Sequence, residues 1–386
     1  MSPQAPARRN VPAPDKAARS TPLRFGYGTN GLADLRLDDA LGLLADLGYD
    51  GVGLTLDHMH LDPLAPDLAA RTRRVAHRLD ALGLEVTVET GARYVLDPRR
   101  KHGPSLLDPD PDDRARRVDL LLRAVQVAAD LGAHAVHCFS GITPPGTGED
   151  TAWKRLAEAL GPVLDAATAV GIPLAVEPEP GHLLATLADF HRLRRDLGDP
   201  EYLGLTLDIG HCRCLEPLPP ADCVLAAAPW LRHVQIEDMR RGVHEHLPFG
   251  DGDIDFPPVL KALAATGYRG LTVVELPRHS HAGPHFAELS LPFLHRAAAT
   301  ALPPCEYRLQ PTLAAPPVPP ARAGQPVPPA RAGQPVPPAP AGQPVPPAPA
   351  GQPVPPAPAG QPVPPDTLPV APPPGEPPAT PEGSTR

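Results

Sequence analysis

The chain has 386 residues, 60 of them proline, and a formal charge of −9. Arg8, Arg9, Lys16 and Arg19 against Asp15 make the first 21 residues +3, four acidic and four basic residues cancel beyond residue 300, and residues 22–300 therefore carry −12. A domain that acidic is a poor partner for nucleic-acid phosphates, and no apolar run is long enough for a bilayer span or a secretory h-region, so neither nucleic acid nor a membrane is an expected partner.

Met1 to Thr21, rich in Pro, Ala and Arg, is predicted to be a disordered leader. Short apolar strands then alternate with amphipathic helices. Strand Leu23–Gly28 precedes helix Leu37–Leu47, Gly51–Leu56 precedes Leu68–Leu82, and Glu85–Glu89 precedes Asp113–Leu131. Strand Ala133–Phe139 precedes helix Ala152–Val170, Pro173–Glu177 precedes Leu184–Leu197, and Gly204–Asp208 precedes a short apolar segment, Ala221–Ala228. Strand His233–Glu237 leads to helix Pro257–Ala265, and Leu271–Glu275 to Pro284–Ala298. Four helices run into a glycine (Gly48, Gly83, Gly132, Gly171), the residue that accepts a left-handed cap most readily. Eight βα rounds in under 300 residues favour closure into a (β/α)8 barrel spanning residues 22–300. Gly26, Gly28 and Gly31 are spaced wrongly for a dinucleotide fingerprint.

From residue 301 the composition shifts to Pro, Ala, Gly, Val and Gln. A nine-residue unit, P-V-P-P-A-(R/P)-A-G-Q, starts at Pro317, Pro326, Pro335, Pro344 and Pro353, with a truncated copy at Pro362. Such a stretch has no apolar face to bury, so a disordered tail with polyproline-II character is expected, serving as a spacer rather than as a specific ligand. Cys138, Cys212, Cys214, Cys223 and Cys305 form an odd set without a disulfide framework, which fits a reduced cytoplasmic interior.

Function in such a barrel sits at the C-terminal strand ends. Those ends carry Glu89, His137, Glu177, Asp208 with His211, Gln235 with Glu237 and Asp238, and Glu275. Several carboxylates crowded at one mouth repel one another unless a cation is bound, and carboxylates with imidazoles suit Mn, Co, Zn or, where oxygen dominates, Mg. Taken singly, each residue has a structural reading. Asp208 to His211 can be an Asx turn, His244 and His246 a solvated loop, His58 and His60 a surface loop, and one of the sequence neighbours Glu237 and Asp238 must face away from the other. The coincidence at successive strand ends points to a metal site.

These segments resemble the xylose-isomerase-like barrels, which include sugar epimerases and isomerases and the endonuclease IV repair enzymes. Leu174 to Gly181 looks like the family's strand-five segment with its ligand glutamate. Leu207-Asp208-Ile-Gly-His211 matches its D-x-x-H, Val274-Glu275 its strand-eight glutamate, and His244 to Ile254 its H-x-L-G-x-G-x-I loop. At strand seven the family's H-x-K-D or H-x-N-D becomes Gln235-Ile-Glu237-Asp238, with glutamine in the histidine's place, and Glu89 to Arg93 stands where the repair enzymes carry a strand-three histidine. The resemblance implies Glu177, Asp208, Gln235 and Glu275 as metal ligands. In multi-zinc members a further ion sits among the residues matching His211, His244 and His246, and both one ion and two are compatible with this sequence.

The implied activity is isomerisation or epimerisation of a small sugar or sugar phosphate through an enediolate, with Glu177 and Glu275 as base and acid and His211 assisting. Glu89, Arg93, His137, Glu179 and Arg278 are candidate substrate contacts, the two arginines for a phosphate or carboxylate. Two other readings stand beside it. One is a metal-dependent hydrolase or lyase, with an endonuclease IV-like phosphodiesterase disfavoured by the −12 domain. The other is an interaction protein acting through its proline-rich tail. A homo-oligomer is compatible with any of these.

Overall fold

The computed structural model describes residues 23–302. The expected leader, the repeats, the tail and Cys305 lie outside the described residues.

Eight parallel strands close into a barrel. They are β1 (Arg24–Gly28), β2 (Gly51–Thr55), β3 (Glu85–Glu89), β4 (Val136–Phe139), β5 (Leu174–Glu177), β6 (Leu203–Asp208), β7 (Leu231–Ile236) and β10 (Leu271–Val274). Each pairs with its sequential neighbour, and β10 closes the ring against β1 through pairs such as Gly26 with Val273. The helices are α1 (Leu37–Leu47), α2 (Leu68–Leu82), α3 (Pro111–Leu131), α4 (Glu149–Val170), α5 (Leu187–Asp196), α6 (Ile209–Leu215), α7 (Pro220–Ala227), α8 (Phe256–Ala265) and α9 (Gly283–Ala301). None of them is long and apolar enough to cross a membrane.

Strand alternation sorts the side chains. Val52, Leu54, Val86, Val88, Val136, Leu174, Val176, Val234 and Ile236 join the core, together with buried helix residues such as Leu41, Leu79 and Leu121. The other parity carries small or polar residues into the barrel. Gly53 is one of them, and a Cβ there would collide with the Glu89 carboxylate. The expected glycine caps form as left-handed residues, with φ of 92° at Gly48 and 62° at Gly132. Helix α3 starts two residues earlier than the expected Asp113, because Asp110 accepts the Asp112 N–H as its N-cap and Pro111 takes the first helical position. Helix α5 starts later than the expected Leu184, at a capping box built by Thr186 and Asp189.

Two elements depart from expectation. The residues around His244 and His246 are not a solvated loop but a hairpin of β8 (Asp238–Arg240) and β9 (Val243–Leu247), packed on α6. Asp238 anchors the loop that leaves the hairpin, because its carboxylate accepts backbone N–H groups from Met239, Gly250 and Ile254 at 2.9–3.1 Å. Only glycine fits at 252, where a Cβ would strike that carboxylate. His60 is likewise buried rather than on the surface, with Nε2 3.1 Å from the Leu35 carbonyl. Cys138, Cys212, Cys214 and Cys223 are free and buried.

Candidate active site

The C-terminal mouth encloses a cavity of about 320 Å³, lined by Glu177, Glu179, His137, His182, His244, His246 and Glu275 on its inner side. Arg93, Lys101, His102 and Arg278 line it as well.

Register explains why residues distant in sequence meet there. Phe139 pairs with Glu177, and Asp208 with Gln235. Glu275 directly follows β10. Asp208 also serves as the N-cap of α6, with Oδ1 accepting the His211 N–H at 2.8 Å while Oδ2 has no hydrogen-bond partner. Helix α6, absent from the sequence reading, thereby delivers His211 to the mouth. The hairpin delivers the other two imidazoles. His211 Nε2 lies 3.0 Å from His244 Nε2, and the His211 and His246 ring centroids are 5.6 Å apart.

The two glutamates expected to act as acid and base keep different company. Glu177 Oε2 accepts from His137 Nε2 at 2.6 Å, and His211 Nδ1 lies 3.2 Å from its Oε1. The Thr90 N–H points at His137 Nδ1 at 3.3 Å, so Nδ1 accepts and Nε2 carries the hydrogen given to Glu177. Burial alone would raise the Glu177 carboxyl, but His137 and His211 hold it well below the ordinary range. Burial works against the cationic form of His211 too, yet the carboxylates of Asp208, Glu179 and Glu177 drive it well upward. Glu275 accepts from Asn30 Nδ2 at 2.9 Å. Burial, then the charges of Glu177, Glu89 and Asp208, push its carboxyl well above the usual range. Burial and the neighbouring carboxylates push Glu179 up to about 7. Burial and the His211 charge leave His244 near 4, and burial leaves His246 near 3.

Most of the expected site residues come together: Glu177, Asp208, Gln235, Glu275, His211, His244, His246, His137 and Glu179. Glu89 does not line the cavity; its carboxylate accepts from Thr55 Oγ1 and meets His233 Nε2, each at 3.1 Å, lower in the barrel. Arg93 and Arg278 sit on the exposed rim, the first donating to the Pro277 carbonyl and the second 4.0 Å from Glu245. The sequence reading missed His182, Lys101 and His102, and it named Glu237 at its strand end without assigning it to the site. The period of two along His233, Gln235 and Glu237 is the signal that places it on the inner face.

The donors present fit a divalent ion. Three groups of His, Asp and Glu bring ligand atoms within 4.8 Å of one another: His211, His244 and His246; Asp208, Glu237, His246 and Glu275; and Glu177, Glu179 and His211. Several of those atoms are buried without a hydrogen bond: Glu177 Oε1, Asp208 Oδ2, His246 Nδ1 and both Glu237 oxygens. The Gln235 amide oxygen shares that state. Buried polar atoms are almost always paired, so these orphaned lone pairs, grouped with imidazoles, form a donor set that fits a divalent cation.

Residues 41–297 match the family model described as xylose isomerase-like TIM barrel. The chain is 29% identical over 248 residues to L-ribulose 3-epimerase of Mesorhizobium japonicum, covering 61% of this chain and 74% of that protein. It is 24% identical over 242 residues to L-ribulose-5-phosphate 3-epimerase UlaE of Escherichia coli strain K12, covering 62% and 81% respectively. A solved structure of L-ribulose 3-epimerase superposes with a TM-score of 0.58 at 23% identity, over 72% of this chain and 95% of that one.

Proposed function

The chain belongs to the xylose isomerase-like TIM barrel family, and from that premise we propose that it is a metal-dependent sugar or sugar-phosphate epimerase or isomerase. The observation that carries this reading is the placement of Glu177 and Glu275. The strands leading to them, β5 and β10, are separated by β6 and β7 around the ring, so the two carboxyl groups face one cavity from different walls. Epimerisation beside a carbonyl needs that arrangement, with a proton removed on one face of the carbon and supplied on the other.

Glu177 Oε1, which has no hydrogen-bond partner, is positioned to take the proton, while His137 holds the other oxygen and fixes the carboxylate's orientation. Glu275, steadied by Asn30, returns a proton from the other side. His211 stands between Glu177 and Asp208 and orients a substrate oxygen. A divalent ion bound among the acidic and imidazole side chains would stabilise the negative charge that develops on the carbonyl oxygen. The buried walls keep water from the reacting carbon. At the rim, Arg93, Lys101 and Arg278 offer cations to a phosphate or carboxylate on the substrate's far end.

The names of the relatives supply the first compounds to try. L-ribulose and L-ribulose 5-phosphate are incubated with the protein and Mn²⁺, and the sugars are resolved chromatographically. Formation of a 3-epimer that EDTA abolishes supports the reading; no turnover of these or other ketoses and ketose phosphates counts against it. The three-histidine cluster His211, His244 and His246 favours a second reading, in which another ion is held there and the chemistry is hydrolytic or eliminative. Two equivalents of bound metal, with one lost in His244→Ala, would support that reading.

A further inference from the structure

Glu237 has no part in the proton transfers between Glu177 and Glu275, yet it lies within 4.8 Å of Asp208, His246 and Glu275. It directly follows β7, on the same face as His233 and Gln235. Its side chain is 0% exposed, and neither carboxylate oxygen has a hydrogen-bond partner. Burial, then the charges of Asp208 and Glu275, push the carboxyl well above the ordinary range. A buried carboxylate without hydrogen bonds is among the least favourable groups a fold can hold, unless a cation or a proton neutralises it.

The surroundings are shaped to admit it. Gly210, in the first turn of α6, leaves the space: a Cβ there would collide with Glu237 Oε1 and lie 2.8 Å from Met239 Cε. Three donors face the carboxylate. Asp208 Oδ2 and His246 Nδ1 are themselves without hydrogen bonds. His246 Nδ1 stands 3.6 Å from Glu237 Oε1 and 3.7 Å from Glu275 Oε2. One ligand atom from each of the four residues lies within 4.8 Å of the others. The two His246 distances are too long for hydrogen bonds, and four ligand atoms this close to one another suit a common ion.

We propose that Glu237 is a ligand of the divalent ion, which is held by Asp208, Glu237, His246 and Glu275. This rests on the reading of the chain as a metal-dependent epimerase or isomerase. At the position where the family resemblance implies a histidine, Gln235 offers a neutral amide oxygen, and Glu237 makes good the lost donor strength with a full negative charge two residues further on. Three carboxylates and one imidazole form an oxygen-rich set suited to Mn²⁺ or Mg²⁺. Glu177, paired with His137, then keeps its role as base, and Glu275 would face the ion with Oε2 while Oε1, the oxygen that Asn30 steadies, carries the proton it returns.

The test is Mn²⁺ binding to the full chain, by calorimetric titration and by the electron paramagnetic resonance signal of free Mn²⁺, for wild type, Glu237→Gln and Gln235→Ala. Glu237→Gln is expected to weaken Mn²⁺ binding by about 100-fold or more, the upper end of what losing a mere supporting neighbour costs. Gln235→Ala is expected to weaken it far less. The metal-free melting temperature of Glu237→Gln should equal or exceed that of wild type, because the substitution removes a buried carboxyl crowded by Asp208 and Glu275, and its rise on adding Mn²⁺ should shrink. Mn²⁺ affinity of Glu237→Gln within about 3-fold of wild type would overturn the inference and leave metal dependence standing. A wild-type chain that binds no Mn²⁺ would overturn both. Should Glu237→Gln not fold, Glu237→Asp, which keeps the charge and retracts it, is titrated instead, with the same direction expected and the same overturning result.

Discussion

Glu85 opens β3 at the end of the barrel opposite the cavity, where it meets the Arg24 guanidinium and, at 2.7 Å, His134 Nε2. Burial would raise its carboxyl, but His134 and Arg24 together hold it below the ordinary range. A carboxyl depressed in the folded state contributes stability that is present above its unfolded value and is lost as the pH falls through the folded one. Urea midpoints for Glu85→Gln should therefore lie below wild type at neutral pH and converge with it at acid pH; a constant gap would contradict this assignment. At this scale the sequence was legible where one residue's position decides its role. Glu177, Asp208 and Glu275 were readable because they end strands. Glu89 was misleading because Gly53 makes room for it to turn inward to His233, a partner no local pattern reveals. Glu237 was judged only against its neighbour Asp238, whereas its significance depends on Asp208, His246 and Glu275 arriving from three other elements.

Among the elements, the strands and long helices were legible from periodicity, and their ends from glycine and proline. The short ones were not. Helix α6 spans seven residues and contains glycine, and β8 has only three residues, so neither offers enough periods to register. Both depend on tertiary packing instead: α6, capped locally by Asp208, packs on β8 and β9, and the loop leaving the hairpin is tied down by the Gly250 and Ile254 N–H groups on Asp238. Helix α5 shows the local kind of stability. Thr186 Oγ1 accepts the Asp189 N–H while the Asp189 carboxylate accepts the Thr186 N–H at 3.0 Å. Thr186→Ala should cost about 1 kcal/mol in equilibrium unfolding, the usual value of an N-cap, with Mn²⁺ affinity unchanged. A loss confined to metal binding would show that α5 supports the site rather than its own terminus.

For the whole molecule, closure of the barrel collects the carboxylates of Glu177, Glu179, Asp208, Glu237 and Glu275 at one mouth, where a divalent ion would neutralise them. Residues 303–386 lie outside the described residues, and we propose that they act as a spacer. A chain ending at Leu302 should keep the thermal midpoint, Mn²⁺ affinity and turnover of the full chain, and loss of turnover on truncation would refute that role. The central claim, proton transfer between Glu177, a sugar carbon and Glu275, is tested most directly by solvent exchange. The protein is incubated with Mn²⁺ and either L-ribulose or L-ribulose 5-phosphate in D₂O, and deuterium at the carbon beside the carbonyl is followed by NMR. The account predicts incorporation that requires the divalent ion and falls by about 10²–10⁴-fold in both Glu177→Gln and Glu275→Gln. Incorporation at the wild-type rate in either variant, or in the presence of EDTA, would contradict it.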